Sequence, residues 1–265
     1  MFPKYHLKDN TSLEIRQEGV QAGEFLMRQD AALLEQVAQH RQGPVLRFYE
    51  WSCPTVSLGF HQKETVLDEE ALHRNGIPWV RRPTGGAAVL HSQELTYCIV
   101  LPAEHPFQKD RSALERTGRA IAVGLRTLGV PAQVMERSNP LERLPDRASC
   151  FVRSSRWEVC VRGKKIVGSA QRMLNGALLQ HGSILCGPDH LRLVSFLRLP
   201  SEQLRQELLV RLRAASTSIA EELNSPFDMK LLRRKLTEAF TEEFTVLPTA
   251  QEEPIAEISG VKGFA

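Results

Sequence analysis

The apolar and polar positions in the first half of the chain repeat with two different periods. Between Gly23 and His40 the apolar residues recur at helical spacing, which predicts an amphipathic helix. The segments VLRFYEW from Val45 and TVSLG from Thr55 are rich in β-branched and aromatic residues, which predicts two strands. The same patterns predict, in chain order, a short helix at 68–74, strands at 78–82 and 94–101, and a long helix at 110–128.

The second half begins as a series of short strands. They are predicted at 157–161, 165–174 and 177–185, with an Asn-Gly turn at 175–176 that is typical of a hairpin. Lys165 then lies at the start of one hairpin strand, and His181 lies on the other. Beyond Pro200 the apolar residues return to helical spacing, which predicts helices that end near Phe244.

Together these elements predict an α+β protein with a mixed, largely antiparallel sheet flanked by helices. No repeat and no break in composition requires a second domain, so we expect residues 1–265 to form a single catalytic domain. We expect a sheet-containing core at 1–199, helices packed on it at 200–247, and a loose tail at 248–265.

The composition is that of an ordinary soluble globular protein and argues against several functional classes. Hydrophobic residues make up 42% and charged residues 25% of the chain. There is no apolar run of about 18 residues, and the N-terminal sequence MFPKYHLKDN has no apolar signal region. We therefore expect neither membrane association nor export. The net charge of +3 is too small to indicate a nucleic-acid partner.

The cysteines indicate a reducing environment. There are five of them, an odd number without metal-binding spacing, so neither a disulfide framework nor a metal site is expected. A cytoplasmic location fits best. Cys53, Cys98, Cys160 and Cys186 lie within or beside apolar strand-like runs and are interpreted as small buried residues. Cys150 differs because it lies in a polar loop.

Two segments of small residues, each joined to a basic residue and followed by a histidine, carry the candidate chemistry. They read RRPTGGAAVLH from Arg81 and KKIVGSAQRMLNGALLQHGS from Lys164. Glycine lets a ligand lie against the backbone, and an arginine pair offers donors to an anion or a carbonyl. Either segment alone is also consistent with a tight turn between strands. Together they predict a site for a small acyl or acyl-nucleotide group, and the expected binding residues are Arg81, Arg82, Gly85, Gly86, Ala87, Val89, His91, Gly168, Ser169, Ala170, His181 and Gly182.

These segments resemble those of the lipoate-protein ligases and octanoyltransferases. That family's Arg-Arg, glycine-rich, Val-x-His segment is matched from Arg81 to His91, and its Lys-x-x-Gly-Ser-Ala segment is matched from Lys165 to Ala170. Ala87 stands where many members have a third glycine. The resemblance covers about residues 23–244 and implies the biotin/lipoate ligase catalytic-domain fold.

Cys150 and Lys165 are the candidate catalytic residues. From position alone, Cys150 could be either structural or a nucleophile, and Lys165 is most simply an exposed strand lysine like Lys164. Octanoyltransferases of the LipM type carry a Cys-Phe pair at a similar distance before the motif lysine, and Cys150-Phe151 precedes Lys165 by 15 residues. The resemblance implies that Cys150 holds the acyl chain as a thioester and that Lys165 favours its thiolate and handles protons.

Other residues and cofactors leave alternatives open. A histidine at a strand end more often forms structural hydrogen bonds than acts in catalysis, and both roles remain open for His91 and His181. Neither nucleotide-binding glycine motif, GxxxxGK[ST] nor GxGxxG, occurs. No cofactor is expected for a transferase, whereas ATP and Mg would serve a ligase of this fold, which binds its nucleotide without either motif.

The favoured function is acyl transfer. An octanoyl group would move from acyl carrier protein to a lysine of a lipoyl domain or a glycine-cleavage H-type protein, through Cys150 and without ATP. The alternative is an ATP-dependent lipoate-protein ligase that activates free lipoate as the adenylate. A binding scaffold without activity is disfavoured because Cys150 and Lys165 are both present. The 65 residues after Pro200 read as packed helices rather than the accessory domain that ligases often add, which favours the transferase.

Overall fold

A computed structural model describes residues 12–109, 112–135 and 157–245 of the chain. Its strands are β1 Glu14–Gln21, β2 Val45–Trp51, β3 Thr55–Leu58, β4 Trp79–Arg81, β5 Val89–His91, β6 Glu94–Leu101, β7 Gln133–Met135, β8 Glu158–Val161, β9 Lys164–Lys165, β10 Val167–Leu174 and β11 Ala177–Leu185. Its α-helices are α1 Gly23–Ala38, α2 Glu69–Arg74, α3 Pro106–Lys109, α4 Ala113–Arg126, α5 Glu202–Ala215, α6 Ile219–Leu223 and α7 Met229–Thr245. A 3-10 helix spans Pro188–Phe196.

The strands form one large sheet and two small ones. The large sheet has the order β1-β2-β6-β11-β10, and the small sheets have the orders β4-β3-β5 and β7-β8-β9. In the large sheet only the β1–β2 pair is parallel. Asn175 and Gly176 both adopt positive φ, 47° and 84°, at the turn between β10 and β11. The predicted mixed, largely antiparallel sheet with flanking helices is confirmed.

Each face of the large sheet packs against a different set of helices. Because side chains alternate along a strand, Phe48 and Tyr97 point to the face that carries α4 and α7. Their neighbours Tyr49 and Cys98 point to the opposite face, which is covered by α1. The first face carries the largest core cluster, and the second carries the candidate site.

The helices after Pro200 share these cores. Leu236 and Phe240 of α7 are fully buried, and the Phe240 ring meets Phe48 edge to face at 5.9 Å. A Cβ added at Gly124 of α4 would lie 2.9 Å from Leu236 Cδ2, so the glycine allows the two helices to approach closely. Leu208 of α5 is buried in the apolar cluster that also contains residues of β3 and β5.

Several predicted boundaries and one burial assignment are wrong. Strand β1 was not predicted, because its sequence EIRQEGVQ is mostly exposed at the sheet edge and lacks a buried alternation. The strand predicted at 165–174 is interrupted at Ile166, so Lys165 belongs to a separate small sheet. The long helix predicted at 110–128 ends at Arg126. Cys53 is exposed, whereas the other described cysteines are buried. The predicted tail at 248–265 lies outside the described residues.

The α4–α7 layer provides a test of the fold. Phe240→Ala removes a fully buried ring and leaves a cavity beneath the sheet, so we expect the free energy of unfolding to fall by about 3–5 kcal/mol. Val210→Ala, at a position 66% exposed, is the control and should change it by less than about 0.5 kcal/mol. Urea denaturation measures both, and equal effects would contradict the assignment of this layer as core.

Candidate active site

A narrow trough lies on the α1 side of the large sheet. It leaves about 370 Å³ of space free of protein atoms, part of it open to solvent. Its walls come from α1, from the small sheet β4-β3-β5 with its loops, and from the β6, β10 and β11 strands. The described lining residues are Met27, Arg82, His91, Thr96, Gly168, Ser169, Ala170, His181, Gly182 and Ser183.

The floor of the trough is open because small residues alternate along the β10–β11 hairpin. Gly168 is paired with Ser183 and Ala170 with His181, so these four residues share the trough-facing side. On the opposite side, a Cβ added at Gly182 would lie 2.5 Å from the Gly168 carbonyl oxygen and 2.7 Å from the Tyr97 ring. The hairpin therefore has no room for a side chain at Gly182.

Ser169 points to that opposite side. Its hydroxyl lies 2.6 Å from the Tyr97 hydroxyl, which also accepts from Gln180 at 3.0 Å. Burial raises the pKa of Tyr97 to about 12, so the phenol remains protonated. These contacts fix the hairpin against β6.

Arg82 shapes the glycine loop from within. Its side chain is buried and donates to the carbonyls of Gly85 at 2.8 Å and Ala87 at 2.7 Å, and to the Ser57 hydroxyl at 3.0 Å. An arginine with these contacts is a scaffold for the loop. It still reaches the trough wall.

Arg81 has a similar structural role on the other side of the strand. It donates to the carbonyls of Gly59 at 3.0 Å and Gln62 at 2.6 Å and pairs with Glu64 at 2.9 Å. It does not line the trough but lines an adjoining open cleft.

The glycine loop packs on the end of β3. Gly86 has a φ of 101°, which favours glycine. A Cβ added at Gly59 would lie 2.0 Å from the Gly86 carbonyl oxygen, so the two backbones touch directly. Gly85, Gly86, Ala87 and the largely buried Val89 are not among the described residues of the trough wall. This placement favours the turn interpretation of that segment over direct contact with a ligand.

His181 is held in a buried chain of hydrogen bonds. Its Nδ1 lies 2.8 Å from Asp30 Oδ2, and its Nε2 lies 2.6 Å from the Thr84 hydroxyl. Asp30 is fully buried in α1, pairs with Arg47 and accepts from Tyr49 at 2.8 Å. The chain thus joins the trough wall to α1 and β2.

His91 is held in the same way. Its Nδ1 lies 3.1 Å from Glu94 Oε1, and its Nε2 lies 2.8 Å from the Ser57 hydroxyl. The Trp51 ring stacks on the imidazole with the centroids 3.9 Å apart. Glu94 also accepts from Ser183 at 2.6 Å. Both nitrogens of each histidine are therefore engaged, which favours the structural role left open for them.

Burial and pairing set the charges of these networks. Burial by itself raises the pKa of Asp30. The hydrogen bond from His181 and the positive charges of His181 and Arg47 outweigh it, so the pKa of this carboxyl lies below its usual value. Burial lowers the pKa of His91 in spite of Glu94, which favours the neutral imidazole.

Lys165 is buried rather than exposed on a strand. Its side chain is 7% exposed, and Nζ lies 2.5 Å from Glu158 Oε1 across the small sheet β7-β8-β9. Its carbonyl accepts from the Thr217 amide at 3.0 Å. Lys165 precedes Gly168 by three residues, so the chain separates it from the trough floor by at most about 11 Å. Cys150 and Phe151 lie outside the described residues.

Sequence reasoning missed the partners of these residues. The sequence could have identified Asp30 as a buried polar residue, because it interrupts the apolar stripe of α1 beside Leu26 and Leu33. It could not have identified Thr84 and Ser57, because hydroxyl residues are common in such loops and strands. It could not have identified Glu158 either, because its pairing with Lys165 depends on the sheet register.

The described residues show neither a metal centre nor a membrane segment. No group of three or more His, Cys, Asp or Glu side chains within them is arranged to hold a metal ion. None of the helices in the described part of the chain combines the length and apolarity that a bilayer-spanning segment requires.

The fold is that of the lipoate ligase class. The structure is similar to a bi-partite lipoate protein ligase from Thermoplasma acidophilum, with a TM-score of 0.66 and 24% identity, covering 88% of this chain and 83% of the other. It is also similar to lipoate-protein ligase A bound with ATP, with a TM-score of 0.64 and 24% identity, covering 88% and 85%. The predicted fold is confirmed.

Sequence comparison identifies the family. A family model described as the lipoyl protein ligase A/B catalytic domain matches residues 23–241, and the chain belongs to this family. It is 39% identical over 223 residues to octanoyltransferase LipM of Moorella thermoacetica, covering 82% of this chain and 80% of the relative. Octanoyltransferase LipM of Bacillus subtilis is 34% identical over 223 residues, with the same coverage.

The Asp30 network provides a test of pH dependence. Asp30→Asn removes a buried charge from contact with Arg47 and His181, and we expect it to destabilise the protein by roughly 3 kcal/mol at neutral pH. Because the folded-state pKa of Asp30 is lowered, its stabilisation is fully present above the unfolded value of about 4 and is lost as pH falls through the folded value. The difference in the free energy of unfolding between wild type and variant should therefore become smaller below about pH 4.

Urea titrations at several pH values measure this gap. Asp189→Asn, in a partly exposed pair with Arg192, is the control and should cost less than about 1 kcal/mol. A gap that stays constant down to about pH 2 would show that the charge of Asp30 does not stabilise the fold.

Proposed function

We propose that the chain is an octanoyltransferase of lipoate assembly, moving an octanoyl group from acyl carrier protein to a lysine of a lipoyl-accepting protein. The observation that carries the proposal is its similarity, over four fifths of its length, to proteins named octanoyltransferase LipM. The trough lies beside the Lys165 motif, and we assign the acyl chain to it.

The first step forms an acyl-enzyme. The Cys150 thiolate attacks the thioester carbonyl carbon of the donor, a new carbon–sulfur bond forms, and the bond to the carrier sulfur breaks. The carrier leaves as a thiolate and takes up a proton from the Lys165 ammonium. The octanoyl chain is then held on Cys150 and extends into the trough.

The second step forms the product amide. The neutral amine of the acceptor lysine attacks the Cys150 thioester, the carbon–nitrogen bond forms, and Cys150 leaves as the thiolate. The proton lost by the amine passes to the neutral Lys165 amine, which becomes the ammonium again beside Glu158. No nucleotide or other cofactor enters either step.

The buried ion pair supports the role proposed for Lys165. The carboxylate of Glu158 stabilises the ammonium, which would otherwise be costly at 7% exposure. A fixed ammonium favours an adjacent thiolate. We therefore assign Glu158 as the positioning residue of Lys165.

The donor, the acceptor and the cellular location are part of the same proposal. Acyl carrier protein is the donor, and a lipoyl domain or a glycine-cleavage H-type protein is the acceptor. The structural study of the similar Thermoplasma ligase names an E2 lipoyl domain as belonging to that ligase, which supports an acceptor of that type. The thiols of Cys98 and Cys186 are free, in keeping with a cytoplasmic location.

The ATP-dependent ligase is the less favoured function. Its support is the similarity to lipoate-protein ligase A bound with ATP, which at 24% identity concerns the fold alone. The curated relatives with higher identity carry the transferase name. The alternative predicts an ATP requirement with free lipoate, which the next experiment includes.

Cys150 tests the covalent route. Wild-type protein mixed with octanoyl-acyl carrier protein should gain the mass of one octanoyl group, and hydroxylamine should remove it. Cys150→Ala should show no gain, should lose transfer to a lipoyl domain by at least about a thousandfold, and should unfold like wild type. Cys53→Ala, at an exposed cysteine, is the matched control. Full transfer by Cys150→Ala, or transfer that requires ATP and free lipoate, would refute the proposal.

Glu158 tests how Lys165 is positioned. Glu158→Gln leaves a buried ammonium without its carboxylate, which favours the neutral amine. The thiolate of Cys150 then loses support, so the pH midpoint of its alkylation by iodoacetamide should rise by about one unit. Lys165→Ala should shift it in the same direction. Glu243→Gln, in the remote pair with Arg116, is the control, and an unshifted midpoint for Glu158→Gln would remove Glu158 from this role.

A further inference from the structure

The side chains on the trough-facing side of β10 change abruptly in size along the strand. Gly168, Ala170 and Arg172 follow one another on this side of the strand, because side chains alternate. Glycine and alanine leave the floor open. The long side chain of Arg172 then stands at the end of the row farther from Lys165.

Arg172 is fixed across the gap between the large sheet and the small sheet β4-β3-β5. Its guanidinium donates to the Pro83 carbonyl at 3.1 Å and lies over the Phe60 ring, 4.6 Å from the centroid. Pro83 follows β4 and Phe60 follows β3. One side chain therefore bridges both loops.

A second, wider space begins on the other side of this bridge. It is an open cleft of about 910 Å³, bordered by Arg172, Phe60 and Trp79. It shares Met27 and Arg82 with the trough. The two spaces are thus neighbours, and Arg172 and Phe60 border only the outer one.

We propose that the Arg172–Phe60 pair, which lies in the outer cleft that shares Met27 and Arg82 with the trough, forms an end wall for an acyl chain that extends beyond the trough and so sets the maximum length of that chain. This inference rests on the proposed function, since the thioester end must lie near Lys165 and the methyl end then points along β10 towards Arg172. A longer alkyl chain would have to displace the guanidinium from its carbonyl and its ring. That displacement costs a hydrogen bond and a cation–π contact.

Removal of the end wall should allow longer acyl chains to be accepted. Arg172→Ala and Phe60→Ala should each raise kcat/KM for dodecanoyl-carrier protein relative to octanoyl-carrier protein by at least about tenfold, the discrimination that one methylene commonly gives in a hydrophobic pocket. Phe60 is 44% exposed, so its variant keeps the test valid if Arg172→Ala folds poorly. Phe60→Leu should keep more of the wild-type preference.

The control separates a length limit from a general effect of charge. Arg192→Ala removes an arginine of a partly exposed ion pair outside the trough, and should leave the chain-length preference unchanged. Equal loss of activity for all chain lengths in Arg172→Ala, or an unchanged preference in both wall variants, would overturn the proposal.

A binding measurement distinguishes failure of this inference from failure of the proposed function. Titration calorimetry with free octanoate and dodecanoate requires no transfer. If wild type transfers no octanoyl group, yet dodecanoate binds the wall variants at least about tenfold more tightly than wild type, the function is wrong and the end wall stands. If octanoyl transfer proceeds and dodecanoate binding is unchanged, the function stands and the end wall is wrong.

Discussion

The buried carboxylate of Asp30 holds together the parts of the molecule that form the trough. Its two oxygens contact Arg47 on β2, Tyr49 on the same strand and His181 on β11, while the residue itself belongs to α1. A buried charge is tolerated only when it is paired and hydrogen-bonded, so these groups must meet for the carboxylate to be buried. The position of α1 over the sheet, and therefore the roof of the trough, depends on this constraint.

The need to pair buried polar groups also determines which side chains of the trough are available for proton transfer. His181 and His91 each use one ring nitrogen for a carboxylate and the other for a hydroxyl. Such a histidine is oriented and has no ring nitrogen to spare for a substrate proton. The acid–base role proposed for Lys165 depends instead on its buried pair with Glu158, in which Nζ lies 2.5 Å from Oε1.

The glycine-rich segment supports the site indirectly. Arg82 donates hydrogen bonds to the carbonyls of Gly85 and Ala87, and the backbone of Gly86 packs directly against that of Gly59. The loop brings Thr84 to His181 and Pro83 to Arg172. The glycines of the loop permit this close packing. The loop affects the trough through the residues that flank these glycines.

The sequence by itself determined the secondary structure wherever a strong local pattern was present. The bounds of β2, β6 and β11 and the Asn175-Gly176 turn follow from alternation and turn chemistry, which are properties of neighbouring residues. The two motif segments also identified seven of the trough residues, from Arg82 to Gly182. Only the tertiary structure decided the partners: Asp30 for His181, Glu158 for Lys165, and Phe60 for Arg172. Each of these contacts joins elements distant in the chain and depends on sheet register and helix position, which no local pattern encodes.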